Sequence, residues 1–136
     1  MSRSGYDESD CFDQWPWIMW RGTVASALRG KRGQAFLKEM LTALDALENK
    51  RLVAEALVAG TEVCAMGAVA KARGIDMEMV DPEDPATVAG IFGIAGPMAQ
   101  EIAYMNDEGG PHKETPEHRY QRMRKWIESK IKKETP

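Results

Sequence analysis

The sequence is poor in the residue types that build recognisable chemical sites. It has two cysteines and two histidines in 136 residues, too few for a disulfide framework. Cys11, Cys64, His112 and His118 are scattered and show neither CxxC nor HExxH spacing, which leaves no zinc or metalloprotease motif. No apolar run approaches the roughly 20 residues that a membrane-spanning helix needs. No cationic stretch followed by an apolar one resembles a leader. The expectation is a soluble intracellular protein with two free thiols, no metal and no cofactor.

Base is missing from a whole region. Residues 75–110 hold eight acids (Asp76, Glu78, Asp81, Glu83, Asp84, Glu101, Asp107 and Glu108) and no lysine or arginine. The opposite holds for residues 15–33, where Arg21, Arg29, Lys31 and Arg32 stand without an acid. A second cationic excess closes the chain, with Arg119, Arg122, Arg124, Lys125, Lys130, Lys132 and Lys133. The net charge of −3 therefore conceals alternating blocks. Such blocks either pair with one another inside the fold or present separate faces to a partner.

Phosphate loops are absent as well. GKRGQ lacks Walker spacing, and the glycines Gly90, Gly93 and Gly96 follow no expected strand. The acidic run Asp76–Asp84 is interrupted by Pro82 and has no calcium-loop register.

What is present is helical periodicity. Residues 1–14 lack an apolar period and read as a disordered or loosely docked acidic tail, leaving residues 15–136 as one domain. A helix is expected from about Pro16 to Arg29, with Trp17, Trp20, Val24 and Leu28 on one stripe, and Gly30-Lys-Arg-Gly33 breaking it. A second, about Gln34–Leu47, carries Phe36, Leu37, Met40, Leu41, Leu44 and Leu47. Residues 51–63 read as a small hairpin across Ala59-Gly60, with helix as the alternative for residues 51–57. The stretch Cys64–Ala72 is a helix of small residues ending at Gly74, whose low bulk suits a central position with neighbours packed closely.

Beyond it, Asp81-Pro82 and Asp84-Pro85 each offer an N-cap followed by proline at the first helical position. A short helix from about Pro85 to Phe92 stops at Gly93. The next runs from Ala95 or Pro97 to Met105 and ends at Asn106-Asp-Glu-Gly-Gly110. Thr115-Pro116-Glu117 opens the last helix, with Tyr120, Met123, Ile127 and Ile131 on one face. The fold expected is mainly α, a compact single-domain bundle of five or six helices with a β-hairpin at residues 51–63.

Three blocks resemble a known family: WPWIMWRGTVASALRGKRGQAFLKEMLTALDAL, EVCAMGAVAKARGID, and IAYMNDEGG with ETPEHRYQRMRKWIESKI. Together they are similar to small proteins encoded in tailed bacteriophages and prophages, a family without an established activity. The Cys-Ala-Met-Gly-Ala with the later Asn-Asp also resembles a wider bacterial family of unknown function. The resemblance implies a phage or prophage setting in the cytoplasm of a bacterial host, where accessory proteins bind host machinery, defence systems included. It carries over no functional residue.

Three functions are then open. The first is non-enzymatic binding of a host or defence protein complex, with Trp15, Trp17, Trp20, Arg21, Arg29 and Arg32 as aromatic and cationic anchors and Asp81, Asp84, Asp107 and Glu108 facing a basic surface. The second is nucleic-acid binding through Arg29, Lys31, Arg32, Arg122, Arg124 and Lys125, against which stands a pI near 5.5. The third is an enzyme built on Cys64, whose place at a helix start favours thiolate but which has only His112 and His118 as imidazole partners. A catalytic or ion-binding role for Asp107 is the remaining chemical reading. The Trp-rich helix also leaves self-association open.

Overall fold

The computed structural model describes residues 3–4, 14–77, 80 and 84–132. Among these the chain forms six helices and one two-stranded ribbon: α1 (Gln14–Arg29), α2 (Lys31–Ala46), β1 (Val58–Ala59), β2 (Glu62–Val63), α3 (Ala65–Arg73), α4 (Pro85–Phe92), α5 (Gly96–Glu108) and α6 (Pro116–Lys130). The expected helical bundle with a small hairpin is what the chain builds.

The helices bury most of the stripes their periods mark, with Trp17, Trp20 and Leu41 only half-buried. Leu37, Met40 and Leu44 of α2 are fully buried, as are Met123 and Ile127 of α6 and Met98 and Ile102 of α5. Helix α2 packs against α1, α3 and α6, whereas α5 packs against α1, α3, α4 and α6. Between these two lies α3, whose first six residues, Ala65–Ala70, are all buried. Small residues make that position accessible. A Cβ on Gly67 would lie 2.0 Å from the carbonyl oxygen of Leu57 and 3.0 Å from the Cβ of Val63, closer than atoms can approach without the backbone moving. Gly74 ends α3 in the left-handed region, at φ 74°.

Three local expectations are corrected. Gly33 does not break the chain: α2 begins at Lys31, and Gly33 is a buried residue of its first turn. A Cβ there would meet the Ala27 carbonyl oxygen at 2.0 Å, so this glycine serves the close crossing of α1 and α2. The hairpin is shorter than expected, pairing Val58 with Val63 and Ala59 with Glu62. Residues 51–57 are neither strand nor helix. Their backbone is held by single bonds, from the Leu52 N–H to the Pro116 carbonyl and from the Val53 N–H to the Val63 carbonyl. Asn106, Asp107 and Glu108 do not terminate α5 but form its last turn. Of the expected tail, Arg3 and Ser4 are 4% and 1% exposed and Gln14 belongs to α1, while residues 1–2 and 5–13 lie outside the described residues.

Asp84 and Thr115, expected as caps, are caps, and Cys64, expected as the first residue of its helix, is the N-cap before Ala65. The side chains of Cys64, Asp84 and Thr115 accept from the N–H groups of Gly67, Thr87 and His118. Asp81 lies outside the described residues.

Candidate functional site

Two places draw chemically distinctive side chains together. The first is the seam between the start of α3 and the end of α5. Asp107 sits at a helix C-terminus, where the dipole disfavours an acid, yet its side chain is 3% exposed. Arg3 explains this, since its Nε and Nη2 donate to Oδ2 and Oδ1 of Asp107 at 2.5 and 2.7 Å. The same guanidinium points Nη1 at the Sγ of Cys64, 3.7 Å away. Burial opposes the charge on Arg3, but Cys64 and the Asp107 carboxylate outweigh it and hold its pKa above the ordinary arginine value.

Asn106 stitches this seam. Its Oδ1 accepts from the Ala65 N–H at 3.2 Å, and its Nδ2 donates to the Val53 carbonyl at 2.9 Å and to Asp107 Oδ1 at 2.9 Å. Asp107 Oδ1 also accepts from the Glu55 N–H at 3.0 Å. Glu55 has φ 64°, a conformation uncommon outside glycine, and this bond helps to fix it. The Cys64 thiol accepts from Gly67 N–H at 3.3 Å. His118 instead contacts Glu114, with Nδ1 2.5 Å from Oε2, and His112 is exposed in the α5–α6 connection. No imidazole is therefore the thiol's partner among the described residues, and the cysteine–histidine pair needed for nucleophilic catalysis does not assemble.

The second place is the outer face of α1. At 100° per residue, Ile18, Gly22, Ser26 and Arg29 fall on one line, with Met19 and Thr23 beside it, and all six are exposed. Ile18 and Met19 are the large hydrophobic side chains left open to solvent among the described residues, at 57% and 58% exposure. Trp17 and Trp20 turn partly inward and are half-buried. Arg29, Lys31 and Arg32 continue the outer face as an exposed cationic corner.

Several expected anchors are engaged internally. Arg21 lies 5.7 Å over the Trp17 ring and forks onto the buried Glu101 at 2.6 and 2.7 Å. Arg122 donates to Glu114 at 2.7 and 2.9 Å and to the Met105 and Asn106 carbonyls at 2.5 and 3.1 Å. It thereby satisfies the open C-terminal end of α5. Arg124 bonds Asp45 at 2.8 Å and Glu128. Lys125 is exposed. Asp84 caps α4, Asp107 is closed by Arg3, and the exposed Glu108 meets Ser4 Oγ at 3.4 Å. Trp15 belongs to the first turn of α1.

Sequence reasoning missed Arg3, Asn106, Glu101 and Glu114. Only Asp107-Glu108 at a helix C-terminus, against the dipole, gave a signal that a compensating cation was owed. Among the described residues no three of His, Cys, Asp and Glu converge on a metal position, and no helix is long and apolar enough to cross a membrane. No protein-family model, curated protein or solved structure matches the chain.

Proposed function

We propose that the chain acts without catalysis, by binding a protein partner through the outer face of α1. The observation that carries this reading is the exposure of Ile18 and Met19 side by side, where a helix of a folded domain usually shows polar residues. The face changes along its length. It is apolar at Ile18 and Met19, small at Gly22 and Ser26, and cationic at Arg29, some 15 Å further on at 1.5 Å per residue. The complementary surface is an amphipathic helix that offers apolar side chains at one end and carboxylates at the other, with close approach permitted in the middle. The resemblance to phage proteins supports a host or defence complex as its owner.

The test compares full-length wild type with Ile18→Asp and Met19→Asp variants as baits in bacterial lysate, followed by titration against the purified captured protein. Both variants should fold as wild type, because neither side chain is buried. Loss of about 2 kcal/mol of binding, the size of a strong interface anchor, is expected for the more central residue. Arg29→Ala should flatten the salt dependence. A partner held equally by all three baits would reject this face.

A second reading, nucleic-acid binding, rests on the exposed corner Arg29, Lys31 and Arg32. Gel shifts on DNA and RNA that weaken steeply with salt and vanish on charge reversal at these three positions would favour it over the protein partner.

A further inference from the structure

We infer that the seam between α3 and α5 is a guanidinium-binding site, which in this structure the chain fills with its own Arg3. Three acceptor atoms converge on one planar group: both oxygens of Asp107, in the forked arrangement that matches a guanidinium, and the sulfur of Cys64. The receptor is positioned without help from its occupant. Asp107 is held by the Glu55 N–H and by Asn106, Asn106 by Ala65 and Val53, and Cys64 by Gly67. The C-terminal end of α5 adds the field of a helix terminus that favours a cation.

The occupant reaches the site from 104 residues away. Beyond Arg3 itself, the described part of its segment is tied down by Ser4, whose carbonyl accepts from Gln100 at 3.0 Å and whose hydroxyl meets Glu108. A pre-formed receptor with a tethered occupant is a binding site competed for in cis. Guanidinium ligands are excluded while Arg3 is docked and bind when it leaves. The covalent tether acts as an effective concentration that a free ligand has to outcompete.

The experiment uses the full-length chain with Cys11→Ser, so that Cys64 is the only thiol, and adds Arg3→Ala. Methylguanidine is titrated, with binding read by calorimetry and site occupancy by the rate of iodoacetamide labelling of Cys64. Saturable binding is expected in the Arg3→Ala protein, with labelling slowed about tenfold at saturation. Binding to the chain that retains Arg3 should be weaker by about tenfold or more, as competition with a tethered group requires. Asp107→Asn in the Arg3→Ala background should abolish binding. Should Arg3→Ala fail to fold, Arg3→Lys replaces it, keeping a charge that cannot fork onto the carboxylate.

Tetramethylammonium at equal ionic strength is the control. Equal responses to it and to methylguanidine, or binding that survives Asp107→Asn, or no saturable binding to a folded Arg3 variant, would each overturn the assignment. N-acetylarginine amide distinguishes the sources of the ligand. Tighter binding than methylguanidine identifies an arginine side chain of a peptide, and equal binding identifies the head group alone.

Discussion

Between residues 119 and 132, Arg119 and Arg122 end on acceptors inside the fold and Arg124 on the exposed Asp45, while Lys125, Lys130 and Lys132 are exposed. Between residues 21 and 32, Arg21 ends on the buried Glu101, while Arg29, Lys31 and Arg32 are exposed and make no ion pair among the described residues. What separates the engaged arginines of α6 from the exposed α1–α2 corner is the opposing surface: α6 lies across the open carbonyls of α5, the nearly buried carboxylate of Glu114 and the acid of α2 at Asp45, whereas the α1–α2 corner faces solvent. A cation's role is thus decided by what a remote segment places opposite it.

The comparison breaks most visibly at Arg122. Arg122→Ala leaves Glu114, whose side chain is 3% exposed, short of its main partner and uncaps α5. Loss of one member of a buried pair costs about 3 kcal/mol or more, which a urea midpoint would register. An unchanged midpoint would mean that Arg119 and His118 suffice for Glu114.

Acid sharpens the same contrast. Hydrogen bonding to Arg122 lowers the Glu114 pKa, with His118 and Arg119 adding to it, against the upward push of burial. Glu39 is lowered by Arg73 and Asp45 by Arg124. Because these folded values lie below the unfolded ones, the pairs contribute fully above the unfolded carboxylate range of about 4–4.5. That contribution is lost as pH falls through the folded values. The thermal midpoint should stay level from neutral pH to about 5 and then drop, and Glu114→Gln should remove part of the drop. An identical acid limb in that variant would show that other carboxylates carry it.

Arg124→Ala removes a pair exposed at both ends, and the urea midpoint should move far less than for Arg122→Ala. The smallest effect is expected at the free corner. Arg29→Ala with Arg32→Ala should change stability by less than about 0.5 kcal/mol each, as surface substitutions do, while weakening partner binding. Destabilisation there would reveal a structural duty and weaken the case for an interface.

The helices were legible because each condition for them is local. Thr115 before Pro116, the αL glycine after Arg73 and the stripe Phe36–Met40–Leu44 all lie within a few turns of what they determine. The α3–α5 seam was not legible, because Arg3, Val53, Cys64 and Asp107 meet only through the tertiary fold. Asn106-Asp107 read as a stop signal for a related reason. Isolated acids disfavour a helix C-terminus, and the compensating Arg3 and Arg122 come from distant segments. Gly33 shows the same failing in miniature. Its neighbour is the Ala27 carbonyl across a helix crossing, and a glycine's sequence context does not distinguish a turn from a close approach. The outer face of α1 was half legible: the stripe identified the inward residues, and Ile18 and Met19 are what that stripe leaves outside.

The separation of Arg3 from Asp107 also has a consequence in time. During synthesis at about 5–20 residues per second, Asp107 follows Arg3 after an interval of about 5–20 seconds. Helices α1, α2 and α3 are complete before the carboxylate exists, so Arg3 must remain unpaired with it while the rest of the domain is being made. The first of these residues to leave the ribosome is therefore among the last to reach its place, and the nascent protein passes through a stage in which Cys64 is present and its arginine clasp has not yet formed.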